Sequence, residues 1–424
     1  MFATFDAQTE PLSRQRERTP GIQVRAAPMR KAPEVSIDHA SFWHDPYPTF
    51  ERLQKEAPIA YIPELNGIVL TRREDIAECE KRIDIFSSEQ PAGLMNKLMG
   101  HNLMRKDGDE HRRERMAMMP TVSPRVVKEH WREVFADRIG TVLRALAPKG
   151  AADFCSEYAM PASGEALKAL TGLTQITARD MDSWSQAMID GIANYAGDAE
   201  IEARCVDATN RIDAAISERM PALQAQGDHS FLSAFMGAGL SEASVRANIK
   251  LVISGGQNEP RDAIAGTVWA LLNHPEQHAL IASGQHSYTD AFEEYVRWIS
   301  PIGMSPRRVA KSFRYGGVDF EPEDRVFFFF SAANRDPAQF AAPHKFDLTR
   351  NRMQQKHVAF GAGPHFCAGA VASRVLIAEV AIPAAFAGLP KLRLQSANSV
   401  KFGGWAFRGP LNMSVAWQPS EETT

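Results

Sequence analysis

The chain has 424 residues, of which 44% are hydrophobic, so it can bury a large core. Its formal net charge of −3 gives no basis for binding to nucleic acid or to an anionic membrane. We find no continuous apolar stretch of membrane-spanning length and no secretory signal at the N-terminus, so we expect a cytoplasmic protein. The four cysteines show no Cys-x-x-Cys spacing and give no indication of a zinc site.

The N-terminal region predicts an arm followed by the first small elements of a folded domain. Residues 1–40 carry many Arg, Pro, Gln and Thr, which predicts a flexible arm before a single domain at 41–424. A helix is expected at about 48–56, and alternating apolar residues between 62 and 70 predict a hairpin. Residues 88–106 contain proline, glycine and several methionines, and they predict a loop.

Helical periodicity dominates from about residue 112 to about residue 280, with breaks near positions 149, 173, 197 and 227. At its start, His111 and Arg115 lie four residues apart, which is the spacing of one helix face. Further along, the apolar run 326–330 predicts a buried strand.

One helical segment contains residues that disfavour a regular helix. Gly255 and Gly256 are followed by Gln257, Asn258, Glu259 and Pro260. A proline at 260 cannot donate to the carbonyl of Gly256, and its ring crowds that turn. We therefore expect a widened helix groove here, with carbonyls left free for water.

Glu294 and Arg297 lie three residues apart and can pair on one face of a helix. Such a pair alone has little value, because solvated ion pairs are common on protein surfaces. The run Ala332-Ala333-Asn334-Arg335-Asp336-Pro337 follows it, and then the segment 360–369.

The segment 360–369 reads Phe-Gly-Ala-Gly-Pro-His-Phe-Cys-Ala-Gly and leads into an alanine-rich apolar stretch. Glycines allow the backbone to approach the Cys367 sulfur, and a helix beginning just after it would stabilise a thiolate. A thiolate is a strong axial donor to haem iron. A buried structural cysteine after a turn is the alternative for the cysteine taken alone.

The pattern Phe-Gly-x-Gly-x-His-x-Cys-x-Gly resembles the haem-binding loop of cytochromes P450, and the other motifs follow in that family's order. The resemblance implies a mainly α fold, a single large helical domain with small β-sheets, with haem b as cofactor and Cys367 as the iron ligand. It also implies four donors to the haem propionates, namely His111, Arg115, Arg308 and His365. Further haem contacts are expected from Phe360, Gly361 and Gly256. Arg307 is expected to be a surface neighbour of Arg308.

Most members of that family carry an acid followed by a threonine where this chain has Asn258 and Glu259. The downstream His274-Pro275 fixes the alignment of this segment with the family pattern. An amide–acid pair therefore replaces the usual acid–alcohol pair. We expect Glu259 and Asn258 to manage protons and water beside the haem. A register one residue away would make Glu259 the ordinary acid and would place Pro260 at the threonine position.

Glu259-Pro260 and the segment 402–410 together resemble bacterial P450s that O-demethylate methoxyphenols such as guaiacol and syringol. This narrower resemblance implies a small aromatic substrate whose methyl ether is oxidised with loss of formaldehyde. Ser185 stands where a pocket phenylalanine is expected, which predicts a roomier pocket. The residues predicted to line it are Phe407, Gly255, Ile302, Gly303, Met304, Ser305, Met95 and Leu98.

Three alternatives stay open at this point: a peroxide-driven P450, a hydroxylase of another small apolar substrate, and a haem-binding sensor. No flavin or ferredoxin segment is present in the sequence, so we expect a separate ferredoxin or other iron–sulfur or flavin reductase to supply electrons from NAD(P)H. No nucleic acid or membrane partner is expected.

Overall fold

The computed structural model describes residues 31–194, 197–396 and 400–419. Most of the predicted arm, residues 1–30, lies outside the described residues. Its described end already contacts the domain, because the Val35 N–H donates to the Tyr61 carbonyl at 2.9 Å. The first helix also begins before residue 41. The division at residues 40 and 41 stays a prediction.

The described residues are mainly helical, as predicted, with small separate sheets. The helices are α1 His39–His44, α2 Tyr47–Glu56, α3 Arg73–Cys79, α4 Leu94–Met99, α5 Gly108–Val122, α6 Pro124–Val126, α7 Arg132–Leu146, α8 Met160–Thr171, α9 Ala178–Ile192, α10 Ala199–Ala225, α11 Phe231–Gly237, α12 Glu242–Ser254, α13 Asn258–Asn273, α14 Pro275–Ala282, α15 Tyr288–Trp298, α16 Phe330–Ala333, α17 Ala370–Ser373 and α18 Ile382–Gly388. A π-helical segment, Arg374–Ala381, joins α17 to α18.

The strands are short and form four small sheets. They are β1 Ile59–Ile62, β2 Gly67–Leu70, β3 Phe86–Ser87, β4 Ala151–Asp153, β5 Ser305–Val309, β6 Phe313–Tyr315, β7 Val318–Phe320, β8 Arg325–Phe328, β9 Arg393–Leu394, β10 Phe402–Gly403, β11 Gly409–Pro410 and β12 Ser414–Ala416. The largest sheet has the order β1-β2-β8-β5-β3, and the antiparallel β1–β2 pair is the predicted hairpin.

Two predicted elements need correction. The stretch 88–106 is not simply a loop, because α4 and a 3₁₀ turn at Leu103–Arg105 lie within it. Met95 and Met99 bury one face of α4, which gives the segment a reason to be helical. The run 326–330 is a strand only as far as Phe328, since α16 begins at Phe330.

The main hydrophobic core lies between the helices, and α13 runs through it with most of its side chains buried. One helical stretch among the described residues, Ala370–Gly388, is long and apolar enough to qualify as a membrane span by composition. More than half of it is buried within the protein. A core helix passes the same test of length and hydropathy, so the stretch fits the packing seen here.

Candidate active site

The cysteine loop is held by its own backbone. The Cys367 N–H donates to the Phe360 carbonyl at 2.9 Å, and the Gly361 N–H donates to the Val358 carbonyl at 2.8 Å. Gly361 and Gly363 adopt φ values of 71° and 63°, a left-handed conformation that favours glycine. The two glycines therefore let the chain turn back and present Cys367 just before α17.

Burial raises the pKa of the Cys367 thiol above its ordinary value. The Gly369 N–H opposes this by donating to the sulfur, and the positive charges of Arg115 and Arg374 act in the same direction. The negative charge of Glu259 raises the thiol pKa further, so Glu259 lies close enough to Cys367 for their charges to interact. The loop thus holds a thiolate only with support from nearby donors and cations.

The wall opposite Cys367 is an interrupted helix. α12 ends at Ser254 and α13 begins at Asn258, so residues 255–257 are not helical. Pro260 lies in the first turn of α13, where a backbone N–H would have no helical partner anyway. The predicted widening is therefore a complete break, and Pro260 is compatible with the helix that restarts.

Two serines donate to backbone carbonyls on either side of the break. Ser185 Oγ donates to the Ile253 carbonyl at 3.1 Å, and Ser163 Oγ donates to the Gln257 carbonyl at 2.8 Å. Both serines are fully buried, on α9 and α8 respectively. The Ser185 hydroxyl thus supports the helix break, and the roomier pocket expected at this position stays a prediction.

Glu259 is the most unusual carboxyl of the site. Both of its carboxyl oxygens are buried and have no hydrogen-bond partner among the described residues. Burial is the main cause that raises the pKa of Glu259 to about 7, and the negative charge of Asp262 adds to it. A carboxyl with a pKa near neutrality can hold and release a proton at physiological pH.

Asn258 is 3% exposed, and its Nδ2 donates to Gln186 Oε1 at 2.9 Å. Its Oδ1 is buried and has no partner within the part of the chain that the structure describes. The two members of the predicted amide–acid pair therefore have different environments. Asn258 bonds to α9, and Glu259 lies near the Cys367 thiol.

A cationic cluster lies beside the cysteine loop and contains three of the predicted propionate donors. His111 and His365 have ring centroids 4.2 Å apart, and Arg115 donates to the Phe366 carbonyl at 2.6 Å. His111 Nε2 is buried without a partner in the described chain. Burial, with the charges of His365 and Arg115, lowers the pKa of His111 to about 4.

Asp107 is the acid at this cluster. His365 Nε2 lies 3.0 Å from its Oδ1, and its Oδ2 accepts from Ser87 Oγ and from the Ser88 N–H. Burial alone would raise the pKa of Asp107, but these hydrogen bonds lower it to about 2. A negative charge at Asp107 balances part of the positive charge around it.

The structure places Arg308 away from this cluster. Arg308 donates to Glu323 Oε1 at 2.6 Å and to the Glu89 carbonyl at 2.9 Å, with its side chain partly exposed. Arg307, expected at the surface, is 6% exposed and contributes to the lowered pKa of His365, of which burial is the main cause. Successive side chains of β5 alternate between faces, so only one of the two arginines can turn inward.

The predicted pocket residues come from four segments of the chain, and their surroundings differ. Ile302 and Phe407 form an antiparallel bridge, and the Gly303 N–H donates to the Ala406 carbonyl at 2.8 Å. Met304 packs instead against a separate core cluster around Phe42. The remaining members have different surroundings: Ser305 accepts from Arg307, Met95 is buried in the main core, Leu98 packs beside Gly191, and Gly255 is exposed.

The residues between Cys367 and Glu259 fit a haem. The unpartnered His111 Nε2 and the Arg115 guanidinium suit a group with carboxylates, whereas Arg307 pairs with the buried Glu80 at 3.7 Å. Cys367 would supply the sulfur ligand, and Phe360 provides an aromatic side chain beside the loop. When bound there, haem would supply oxygen-activating chemistry that no amino-acid side chain offers.

Comparison with known proteins agrees with this arrangement. The cytochrome P450 family model matches residues 284–377, which include the Glu294–Arg297 pair and the cysteine loop. The chain is 27% identical over 353 residues to a steroid C26-monooxygenase of Rhodococcus jostii, covering 78% of this chain and 74% of that protein. It is 27% identical to a vitamin D(3) 25-hydroxylase of Pseudonocardia autotrophica, covering 84% of this chain and 89% of that protein.

Among solved structures, that of CalO2 superposes with a TM-score of 0.81 at 23% identity, covering 91% of this chain and all of the other. The likeness to this structure establishes the fold, and the family match places the cysteine in its loop. The chain is a cytochrome P450. The P450 fold, haem as the cofactor and monooxygenase activity are confirmed, and the haem-binding sensor is set aside.

The buried ion pair of this P450 is present as predicted. Glu294 and Arg297 make two hydrogen bonds of 2.7 and 2.8 Å, and both are nearly inaccessible. Arg297 also donates to the Asn334 carbonyl, while Asn334 Oδ1 accepts the Val358 N–H at 2.7 Å. The pair thus fixes the segment that leads into the cysteine loop.

Sequence reasoning missed four residues that shape the P450 site, namely Arg307, Asp107, Ser163 and Gln186. The alternation of β5 was the available signal for Arg307, but the phase of a five-residue strand cannot be read from Ser-Pro-Arg-Arg-Val alone. The other three act through contacts with distant segments, which no local pattern reports.

Proposed function

We propose that this P450 O-demethylates a small aromatic methyl ether. The observation that carries the proposal is the interrupted helix, which places a buried, unpartnered Glu259 opposite Cys367. Glu259 followed by Pro260, with Phe407 on a turn bridged to Ile302, supports the narrower resemblance to methoxyphenol demethylases.

The reaction balances as a two-electron monooxygenation. An aryl methyl ether, O₂, two electrons and two protons give the hydroxymethyl ether and water. The hydroxymethyl ether is a hemiacetal, and it collapses to a phenol and formaldehyde. In this scheme Glu259 holds a proton near Cys367, and the surrounding apolar residues orient the methyl group.

We further propose that the electrons come from a separate ferredoxin or flavin protein in the cytoplasm. The exposed side chains of Arg112 and Arg113, close to Arg115, offer positive charge on the side of the cysteine loop. An acidic partner would complement that surface.

The test is to measure formaldehyde and phenol together. The purified haem protein, supplied with a ferredoxin system, should release about one formaldehyde per NAD(P)H oxidised from a bound methoxyaryl compound. Oxidation elsewhere on the ring, with no formaldehyde from any methoxyaryl ligand, contradicts O-demethylation. The relatives named for steroid and vitamin D oxidation make hydroxylation of another apolar substrate the alternative outcome.

Glu259 also supports a second candidate, a peroxide-driven reaction. A carboxylate facing the thiol can accept a proton from H₂O₂ and return it to the departing oxygen. Turnover with H₂O₂ and no reductase, at a rate comparable with the ferredoxin-driven rate, would favour this candidate over an O₂-dependent enzyme.

A further inference from the structure

A stripe of polar side chains on α9 faces the helix break. Asp182, Gln186 and Asp190 are spaced four residues apart, which places them on one face of the helix. Asp182 Oδ1 accepts from Gln257 Nε2 at 2.9 Å. Gln186 contacts Asn258, and its Nε2 donates to Asp190 Oδ1 at 2.8 Å. The stripe therefore bonds to the residues that precede Glu259.

The Asp190 carboxylate ends this chain of hydrogen bonds, and it sets the orientation of the Gln186 and Asn258 side-chain amides. An ionised carboxylate only accepts hydrogen bonds, so Gln186 must turn its Nε2 toward Asp190. Its Oε1 then faces Asn258, and Asn258 must present its Nδ2 in return. Reversing either amide would bring two oxygens together. Asn258 Oδ1 is consequently directed away from α9 as an acceptor.

That acceptor is buried and has no partner among the described residues. A buried acceptor without a donor is unfavourable, so a donor from outside the protein would be expected to fill the position. Asn258 directly precedes Glu259, whose two carboxyl oxygens are also buried without a partner among the described residues. Asn258 Oδ1 therefore belongs to the space beside Glu259.

Helix α4 packs against α9 beside this hydrogen-bond chain. The Leu98 side chain on α4 lies next to Gly191, which follows Asp190 directly. Leu98 is one of the predicted pocket residues, so a pocket that it lines would lie near the α9 segment that carries Gln186 and Asp190.

The charges nearby decide what kind of donor fits. Asp182, Asp190 and Glu259 supply acidic groups around the break, and the one arginine beside them, Arg261, is paired with Asp182 and Asp262. An anionic ligand would meet acceptors and acids without a free cation among these residues. A neutral hydroxyl supplies a donor without a charge to desolvate.

We propose that Asn258 Oδ1 accepts a hydrogen bond from a hydroxyl group, and that Gln186 and Asp190 hold the amide in that orientation. The hydroxyl belongs to the substrate. This inference rests on the proposed function and narrows it to aryl methyl ethers that carry a second, hydroxyl substituent. Gln186 and Asp190 are positioning residues in this scheme.

The experiment compares ligands that differ by one group, using the full-length haem protein. The probes are 4-methoxyphenol with 4-methylanisole and 3-methoxyphenol with 3-methylanisole, each titrated by the Soret band. For each pair the measured quantity is the ratio of the two Kd values, which cancels most of the shared apolar binding. We expect Asn258→Leu to reduce the preference for the phenol by about five- to tenfold, the size of one hydrogen bond.

Asp190→Asn tests the orientation without removing the acceptor. Asparagine can donate or accept, so the amide chain loses its fixed direction and the phenol preference should fall by at least twofold. Asp207→Asn, an exposed side chain on α10, is the matched control and should leave the ratio unchanged. A smaller phenol preference in Asn258→Leu but an unchanged one in Asp190→Asn would overturn the role of Gln186 and Asp190.

An unchanged ratio in Asn258→Leu for every pair would overturn the proposal and assign Oδ1 to water alone. Formaldehyde release is measured separately in the unmodified protein. A hydroxyl preference that depends on Asn258, with no formaldehyde from any ligand, would reject O-demethylation while the inference about Asn258 stands. Failure of the O-demethylation proposal and failure of the Asn258 proposal are therefore distinguishable.

Discussion

At the scale of single residues, Glu259 carries the most specific chemical expectation. Its pKa is raised from the ordinary value of 4.5 to about 7, so the carboxyl is mostly protonated at pH 6 and mostly ionised at pH 8. Only the ionised form can take a proton from H₂O₂. Peroxide-driven turnover should therefore increase as the pH rises through about 7.

Replacing Glu259 by threonine removes that base and leaves a hydroxyl. We expect Glu259→Thr to lower peroxide-driven turnover by roughly 100-fold and to abolish its rise near pH 7, while ferredoxin-driven turnover falls less. Both rates are measured in one preparation and normalised to CO-binding haem. An unchanged ratio of the two activities would mean that Glu259 only supports the backbone near Pro260.

Arg307 and Arg308 mark a limit of sequence-based prediction for single residues. The resemblance predicts Arg308 as a propionate donor, whereas the structure turns Arg307 inward and leaves Arg308 partly exposed. Which of the two neighbours turns inward depends on which alternate side chains of β5 point to the buried face. The pairing of β5 with β8 and β3 sets this alternation. Burial of Val309 on the same side as Arg307 decides it in the structure.

The two arginines form a matched pair for testing haem retention. Arg307→Ala should remove a cation from the cluster around His365, and we expect the haem to be lost several-fold faster to apomyoglobin. Arg308→Ala removes an ion pair with the largely exposed Glu323 and should have little effect. Equal haem loss from both variants would contradict the inward placement of Arg307.

At the scale of elements, the break between α12 and α13 was predicted only in part. Gly255, Gly256 and Pro260 indicated a disturbed helix, because glycine is flexible and proline lacks an N–H. Whether the helix widens or stops depends on which groups donate to the backbone carbonyls on either side of the disturbed segment. Ser163 and Ser185 belong to distant helices, and their partners could not be inferred from the local pattern.

Ser185→Ala should leave the Ile253 carbonyl with backbone donors only, the Gly256 N–H among them at 3.4 Å. We expect the free energy of unfolding to fall by about 0.5–1.5 kcal/mol, the net contribution of one hydrogen bond. Ser183→Ala, two residues earlier on α9, removes an exposed hydroxyl that donates to Asp180, and it should change stability by less than about 0.5 kcal/mol. Denaturant unfolding of both variants provides the comparison, and equal losses would mean that the break does not depend on Ser185.

At the scale of the whole molecule, the cysteine loop has one side toward the core and one side near the surface. Glu259 faces Cys367 from within the core, whereas Phe366, next to the cysteine, is 41% exposed. Arg112 and Arg113 on α5 add exposed positive charge near Arg115, which contacts Phe366. An electron-transfer protein approaching from this side would reach the thiol loop without disturbing the substrate.

Neutralising this surface should slow the encounter with an acidic ferredoxin. For a variant carrying Arg112→Ala and Arg113→Ala, we expect the second-order rate of reduction to fall by about two- to tenfold at low salt, because exposed charges mainly set the association rate. The difference should shrink at high ionic strength, where charges are screened beyond about one Debye length. Arg204→Ala on α10, also exposed, is the control and should behave as the unmodified protein. Stopped-flow reduction under CO measures all three, and a loss that persists at high salt would point to a structural defect and reject electrostatic docking at this surface.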